Sequence, residues 1–295
     1  MLWRQGRRSE NIEDERGSGG RFGGMGGVPG GVKLGGGATV ILLLLGLLLG
    51  KDPGQLISMI GGGGAPTSLP DATREPGAQP TDEEADMMSV VLADTEDTWG
   101  ALFAAAGKRY QEPKLVLYTD LTQTGCGTGQ AAAGPFYCPA DQKVYIDLGF
   151  FRELTQRFGA PGDFARAYVL AHEVGHHVQN LLGTEQQVRE LRSRLSEAQA
   201  NALSVLVELQ ADCYAGVWAN HAQKARQILE KGDIEEGLNA AAAVGDDRLQ
   251  KMSGRGVQPE SFTHGTSEQR MQWFRTGLST GNVQACDTFK QLSKR

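Results

Sequence analysis

Five consecutive residues, His172-Glu173-Val174-Gly175-His176, constrain this chain more than any other stretch, because their chemistry works only on a helix. The segment Asp163–Leu182 around them is rich in apolar residues and has no internal proline, which predicts a helix. On a helix His172 and His176 lie one turn apart on one face, where two imidazoles can hold a single Zn²⁺. Glu173 then sits beside the first ligand. Its carboxylate can reach a zinc-bound water and take the proton as that water attacks a carbonyl, which is metal-assisted hydrolysis. The plainer alternative is a helix with incidental histidines.

Catalytic zinc usually takes three protein ligands, so this helix needs a further donor. Glu208-Leu209-Gln210-Ala211-Asp212-Cys213-Tyr214-Ala215-Gly216, inside a helical pattern running from about Glu185 to Ala222, offers one. Glu208 is the candidate third ligand. Asp212, one turn on, is placed to accept the free ring N–H of a ligating histidine and fix its tautomer. Acidic residues at this spacing are more often an ordinary surface pair. Here the flanks Leu206, Val207, Leu209, Ala211, Tyr214, Ala215 and Trp218 are apolar enough to set both carboxylates into a core-facing surface, where unpaired charge is expensive.

Between Lys33 and Lys51 lie 17 residues without a charge, built around the run Ala38–Leu49. A bilayer core of about 30 Å asks for about 20 apolar residues, so residues 34–50 form a short but workable span whose flanking lysines can snorkel. A cleaved signal peptide competes, but the preceding arm is long, carries Glu10, Glu13, Asp14 and Glu15, and no A-x-A site follows. A buried core helix competes less well, since the run is apolar all round and flanked by glycine. Arg4, Arg7, Arg8, Arg16, Arg21 and Lys33 precede the span, whereas Lys51 is the only basic residue in the twenty-odd that follow. The positive-inside rule then keeps the N-terminus cytoplasmic and sends the zinc domain outside the cell membrane.

These features divide the chain into a basic, glycine-rich arm (1–33), a transmembrane helix (34–50), a tether (51–86) and a zinc domain (87–295). The tether carries Pro66, Pro70, Pro76 and Pro80 among Gly, Thr, Ala and acidic residues. The domain should open near Met87 with an amphipathic helix carrying Val90, Val91, Leu92, Trp99, Leu102 and Phe103. A strand, Leu115-Val116-Leu117-Tyr118, follows, then a long loop and a second strand, Lys143 to Leu148; from Phe150 onward the pattern is helical. Either strand could be the edge along which an extended peptide lies. The alternative is that both are sheet core. A net charge of -6 argues against a nucleic-acid partner.

The four cysteines, Cys126, Cys138, Cys213 and Cys286, include no C-x-x-C pair, so a structural zinc site is disfavoured. In an exported domain the even count suggests two disulfides. Of the three possible connectivities, Cys126 with Cys138 and Cys213 with Cys286 is favoured; reduced, buried cysteines are the alternative. His177 points about 100° away from His176 and suits an outer-shell or surface role. His221 is expected to be structural. His264 sits in Thr263-His264-Gly265-Thr266-Ser267, before a helix starting near Glu268 that Thr266 or Ser267 could cap. It could donate to a developing oxyanion or be a structural loop residue.

Several blocks resemble the bacterial neutral zinc metallopeptidase family, whose members are membrane-anchored and share an H-E-x-G-H-H motif followed by E-x-x-A-D-C. They are Trp3-Arg4-Gln5-Gly6-Arg7-Arg8-Ser9-Glu10-Asn11, Gly134-Pro135-Phe136-Tyr137-Cys138-Pro139, Val144-Tyr145-Ile146-Asp147-Leu148, Ala171–His177, and Phe262-Thr263-His264-Gly265. The resemblance implies an α+β, helix-rich, zincin-like domain of gluzincin type with a small β-sheet, and Glu208 as third ligand. The expected function is a membrane-anchored zinc metallopeptidase acting on peptide or protein substrates. Its metal ligands would be His172, His176 and Glu208, its base Glu173, its oxyanion donor His264 and its outer-shell carboxylate Asp212. The rivals are a zinc-stabilised, non-catalytic envelope binding module and a zinc hydrolase of a non-peptide amide.

Overall fold

The computed structural model describes residues 1–16, 82–254 and 256–290. The expected transmembrane helix at 34–50 and most of the tether lie outside the described residues. No helix among the described residues is long and apolar enough to cross a membrane. Along the chain run β1 (Ile12–Asp14), α1 (Glu83–Ala105), β2 (Lys114–Tyr118), β3 (Leu121–Thr124), β4 (Gly127–Gln130), β5 (Phe136–Cys138) and β6 (Lys143–Asp147). Then follow α2 (Gly149–Gln156), α3 (Asp163–Leu182), α4 (Thr184–Arg192), α5 (Glu197–Arg226), α6 (Asp233–Ala243), α7 (Asp246–Met252) and α8 (Ser267–Thr280). The domain is therefore α+β and helix-rich.

Four strands form a sheet in the order β1-β2-β6-β5, with β1 and β6 parallel to β2 and β5 antiparallel to β6. Residues 115–118 are apolar at every position because both faces of β2 are covered, as a parallel central strand requires. Leu115, Leu117, Val144 and Ile146 face the helices and join the main core. Val116, Tyr118 and Tyr145 pack on the other side with Cys138. The two strands expected from the sequence are thus both interior, and the sheet edges are β1 and β5. What reads as one long loop between them holds the β3–β4 hairpin and β5. Glycines and alanines there hide the alternation by which short strands are recognised.

The helix expected from about Glu185 to Ala222 is two helices, α4 and α5. The break is chemical: Ser196 accepts a hydrogen bond from the Gln199 backbone N–H, and the Gln199 side chain accepts one from the Ser196 N–H, a reciprocal cap that starts a new helix. A cap of the same kind, Thr266 with Gln269, starts α8.

The arm expected to stand apart from the domain differs most. Its first 16 residues pack onto it. Trp3 is buried and donates from Nε1 to Asp163 Oδ2 at 3.0 Å, at the first residue of α3. At Gly6 an added Cβ would come within 2.4 Å of Val90 Cγ1, so the arm lies flush on α1. The Ser9 N–H donates to the Ser89 carbonyl at 3.1 Å, and Ile12–Asp14 add a strand in register with Leu115–Leu117. This cover is why α1 is buried nearly all round, where one polar face was expected.

Candidate metal centre

Two close helix crossings assemble the site. At Gly175 an added Cβ would meet the Ala211 carbonyl oxygen at 3.0 Å and its Cα at 3.1 Å. Only glycine lets α3 approach α5 this closely, and the approach brings His172 and His176 against Glu208. The second crossing joins α5 to α8. Cβ atoms at Gly216 and Gly277 would lie 2.1 Å from the Phe274 carbonyl oxygen and 1.9 Å from that of Cys213. The Cys213–Cys286 disulfide ties the segment after α8 back to α5, and Cys126–Cys138 closes the β4–β5 region, the connectivity favoured from the sequence.

His172 Nε2 lies 3.2 Å from His176 Nε2 and 3.1 Å from Glu208 Oε2, and His176 Nε2 lies 3.5 Å from Glu208 Oε1. Three donors on a tetrahedral Zn²⁺ at its usual bond lengths stand about 3.3–3.6 Å apart, so the spacing fits that ion. The far ring nitrogens are committed elsewhere. His172 Nδ1 is 2.9 Å from Asp212 Oδ1, and His176 Nδ1 is 2.9 Å from Gln179 Oε1. With Nδ1–H donated outward, both Nε2 lone pairs converge with a carboxylate on one point, an arrangement that calls for a cation.

Asp212 is fully buried and collects four donated contacts. Tyr168 Oη donates to it, His172 Nδ1–H donates to it, and the Arg270 guanidinium pairs with it through Nε at 2.8 Å and Nη2 at 2.9 Å. Arg270 Nη2 is also 3.9 Å from Glu208 Oε2. Asp212 and, more distantly, Glu208 thus share one guanidinium, and a cation held by the three donors would offset the carboxylate charge left over.

Burial pushes the Glu173 carboxyl pKa up and the Glu208 charge adds to it, while the imidazoles of His172 and His176 oppose. Burial also works against the Glu208 carboxylate, but the charges of His176, His172 and His264 outweigh it and hold its pKa well below the usual range. Asp212 is held low by Arg270 and His172 against burial. For His172 burial is outweighed by the Asp212 charge and hydrogen bond and the Glu208 hydrogen bond, which raise its pKa to about 10.

His264 is on the rim. The Asp246 Oδ2 atom accepts the backbone N–H groups of Thr263, His264 and Gly265 at 2.8, 2.6 and 2.9 Å, and Oδ1 lies 3.2 Å from His264 Nδ1. Burial lowers the His264 pKa, but the Asp246 hydrogen bond and the Glu208 charge raise it further, so the net shift is upward. His177 is fully buried rather than superficial. Its Nε2–H donates to the Gln111 carbonyl at 2.6 Å and its Nδ1 accepts from Tyr137 Oη at 3.0 Å, tying α3 to β5. Burial lowers its pKa to about 4, so it is neutral. His221 makes a structural contact with the Gly281 carbonyl at 2.8 Å.

Arg270, Tyr168 and Gln179 escaped the sequence reading. Gln179 was findable, three residues after His176 on the same helix face. Arg270 was not: 58 residues separate it from Asp212, and only the glycines at 216 and 277 hint at the helix contact that delivers it.

A family model described as "Putative neutral zinc metallopeptidase" matches residues 1–289, and the chain belongs to that family. The Escherichia coli K12 protein YpfJ, described as uncharacterized, is 51% identical over 289 residues, 98% of this chain and 99% of its own. The uncharacterized protein Mb2605 of Mycobacterium bovis is 45% identical over 190 residues, 61% of this chain and 63% of its own. No solved structure matches the chain.

Proposed function

We propose that this member of the zinc metallopeptidase family is an active peptidase that hydrolyses peptide bonds with a water activated by Glu173. The observation that carries this is Glu173 itself: a buried carboxyl, raised in pKa, adjoining the three-donor set without belonging to it. A protein that merely holds zinc for stability has no chemical use for a buried carboxylate that neither binds the metal nor orients a ligand.

A bound Zn²⁺ supplies Lewis acidity to the scissile carbonyl and acidifies water. His172, His176 and Glu208 would hold it. Glu173 takes the proton of the attacking water and passes it to the leaving amine, a role favoured by a pKa that burial raises above the ordinary carboxyl value. Asp212 keeps the proton of His172 on Nδ1, Gln179 does the same for His176, and Arg270 keeps Asp212 ionised and in place. His264, fixed by Asp246, is the donor proposed for the oxyanion as charge develops on the carbonyl. Of the two sheet edges, β5 is joined to α3 through Tyr137 Oη, which meets both His177 and Asn180 at 3.0 Å. An extended peptide added to β5 would run beside the metal helix.

The test is Glu173→Gln, an isosteric change that removes the base and leaves all three donors. Zinc content and melting temperature should match the parent, while hydrolysis of an unfolded protein substrate such as casein falls on the order of 10³-fold. Hydrolysis at the parent rate in this variant overturns the reading.

A further inference from the structure

The two histidines of the metal centre are oriented by different chemistry. His172 Nδ1 meets a carboxylate, Asp212, which can only accept, whereas His176 Nδ1 meets an amide, Gln179. An amide has a donor end and an acceptor end, so Gln179 by itself does not decide which nitrogen of His176 carries the proton. Turned one way, it accepts from Nδ1–H and leaves the Nε2 lone pair for a metal. Turned the other way, it donates to Nδ1 and leaves the proton on Nε2, where it blocks the metal.

The direction is fixed farther out. Gln179 is fully buried, and its Nε2 lies 2.8 Å from the Val207 carbonyl and 3.1 Å from Gln210 Oε1. Gln210, also buried, places its own Nε2 3.0 Å from the Cys286 carbonyl. Main-chain carbonyls only accept. The Cys286 carbonyl therefore draws the NH₂ end of Gln210 to itself and turns the Gln210 oxygen toward Gln179. That oxygen and the Val207 carbonyl together hold the NH₂ end of Gln179 away from His176. Reversing either amide would set oxygen against oxygen in a buried space, where an unpaired polar atom is costly. Cys286 is pinned in turn, because its side chain is bonded to Cys213 on α5.

We propose that Gln210 is a positioning residue for the metal, acting through Gln179 to keep the proton of His176 on Nδ1, and that the Cys213–Cys286 disulfide anchors this relay. The inference rests on the donor set of the metal centre and not on hydrolysis. Zinc affinity reads it, whereas turnover of Glu173→Gln reads the peptidase proposal.

The test measures the zinc dissociation constant of the purified full-length chain by competition with a chromophoric chelator. Gln179→Met keeps the length of the side chain and removes its amide, and should raise the constant roughly 10–100-fold, as loss of an orienting partner does. Gln210→Met should raise it about 10-fold, and in the Gln179→Met background should add less than about 2-fold, because its effect travels through Gln179. Melting of the metal-free chain is read alongside. A lowered melting temperature with an unchanged dissociation constant in Gln210→Met makes Gln210 merely structural and overturns the inference, and so do losses that multiply in the double variant. Cys213→Ala combined with Cys286→Ala leaves both amides intact and should weaken zinc by the same order as Gln210→Met. Parent affinity in that variant overturns the inference as well.

Discussion

The metal helices and the N-terminal arm are both held by arginine–carboxylate pairs, yet one announces its role in the sequence and the other disguises it. Around the metal, Arg270 and Asp212 are buried, with side chains 3% and 0% exposed. In the arm, Arg4 and Glu83 are 68% and 67% exposed. A pair withdrawn from water depends on its partner, because each charge alone has lost its hydration; an exposed pair can fall back on solvent. The same residue types are therefore structural necessities in one region and near-neutral decoration in parts of the other, and only burial separates the cases.

The largest effect expected from this contrast is at Arg270. Arg270→Gln leaves Asp212 buried against Tyr168 and His172 without its counter-charge and should destabilise the fold by about 3–5 kcal/mol. In a domain of this size that lowers the melting temperature on the order of 10 °C. Arg270→Lys should recover part of the loss, since it returns the charge without the two-point pairing. A fall of only a degree or two in Arg270→Gln, read by thermal denaturation, would mean that Asp212 draws enough support from Tyr168 and His172 alone.

How much was legible follows the same division. His172, Glu173, His176, Glu208 and Asp212 were readable because helix periodicity converts spacing into geometry, so four residues along the chain become one face in space. The two disulfides were readable as the favoured of three connectivities, which an even cysteine count and an expectation of export suggested. Arg270 was invisible, since what positions it is a tertiary crossing through Gly216 and Gly277 that leaves no local pattern. The arm was worse than invisible. Arg4, Arg7, Arg8 and Arg16 read as a basic stretch beside an apolar run, and no local pattern shows that carboxylates some 80 residues away receive them. The strand Ile12–Asp14 is three residues long and carries two acids, too short and too polar for alternation to show.

Next in size is His264, where a metal-site role and a loop role part company. If it donates to the oxyanion, His264→Ala should lower kcat by about 10²–10³-fold with zinc content and melting temperature nearly unchanged, because Asp246 holds this loop mainly through backbone N–H groups that alanine keeps. A marked loss of stability with kcat per folded molecule intact would assign His264 to the loop.

His177 extends the contrast to pH. Its folded pKa of about 4 lies below the ordinary 6.5, so as pH falls the unfolded chain takes up this proton first. The stability it contributes is complete above about pH 6.5 and is lost as pH falls toward 4, at about 1.4 kcal/mol per pH unit and about 3 kcal/mol in all. His177→Gln, compared with the parent by denaturant titration at pH 7 and pH 4.5, should be the less stable at neutrality and close much of that gap in acid. A gap independent of pH would show that His177 does not titrate between the folded and unfolded states.

The smallest effect belongs to Arg4, and its smallness is the point. Its pairing with Glu83 is open to water on both sides, so Arg4→Gln should change stability by less than about 0.5 kcal/mol in urea titrations at ordinary ionic strength. Arg7 differs, because its partner Glu96 is buried and also accepts from Ser9 and Asn11; Arg7→Gln strands that carboxylate and should cost more than Arg4→Gln by about 1–2 kcal/mol. The order Arg270, then Arg7, then Arg4 follows carboxylate burial alone. Equal losses at Arg4 and Arg7 would mean that burial of the partner does not set the worth of an arginine in the arm, and the division between the two regions would lose its physical basis.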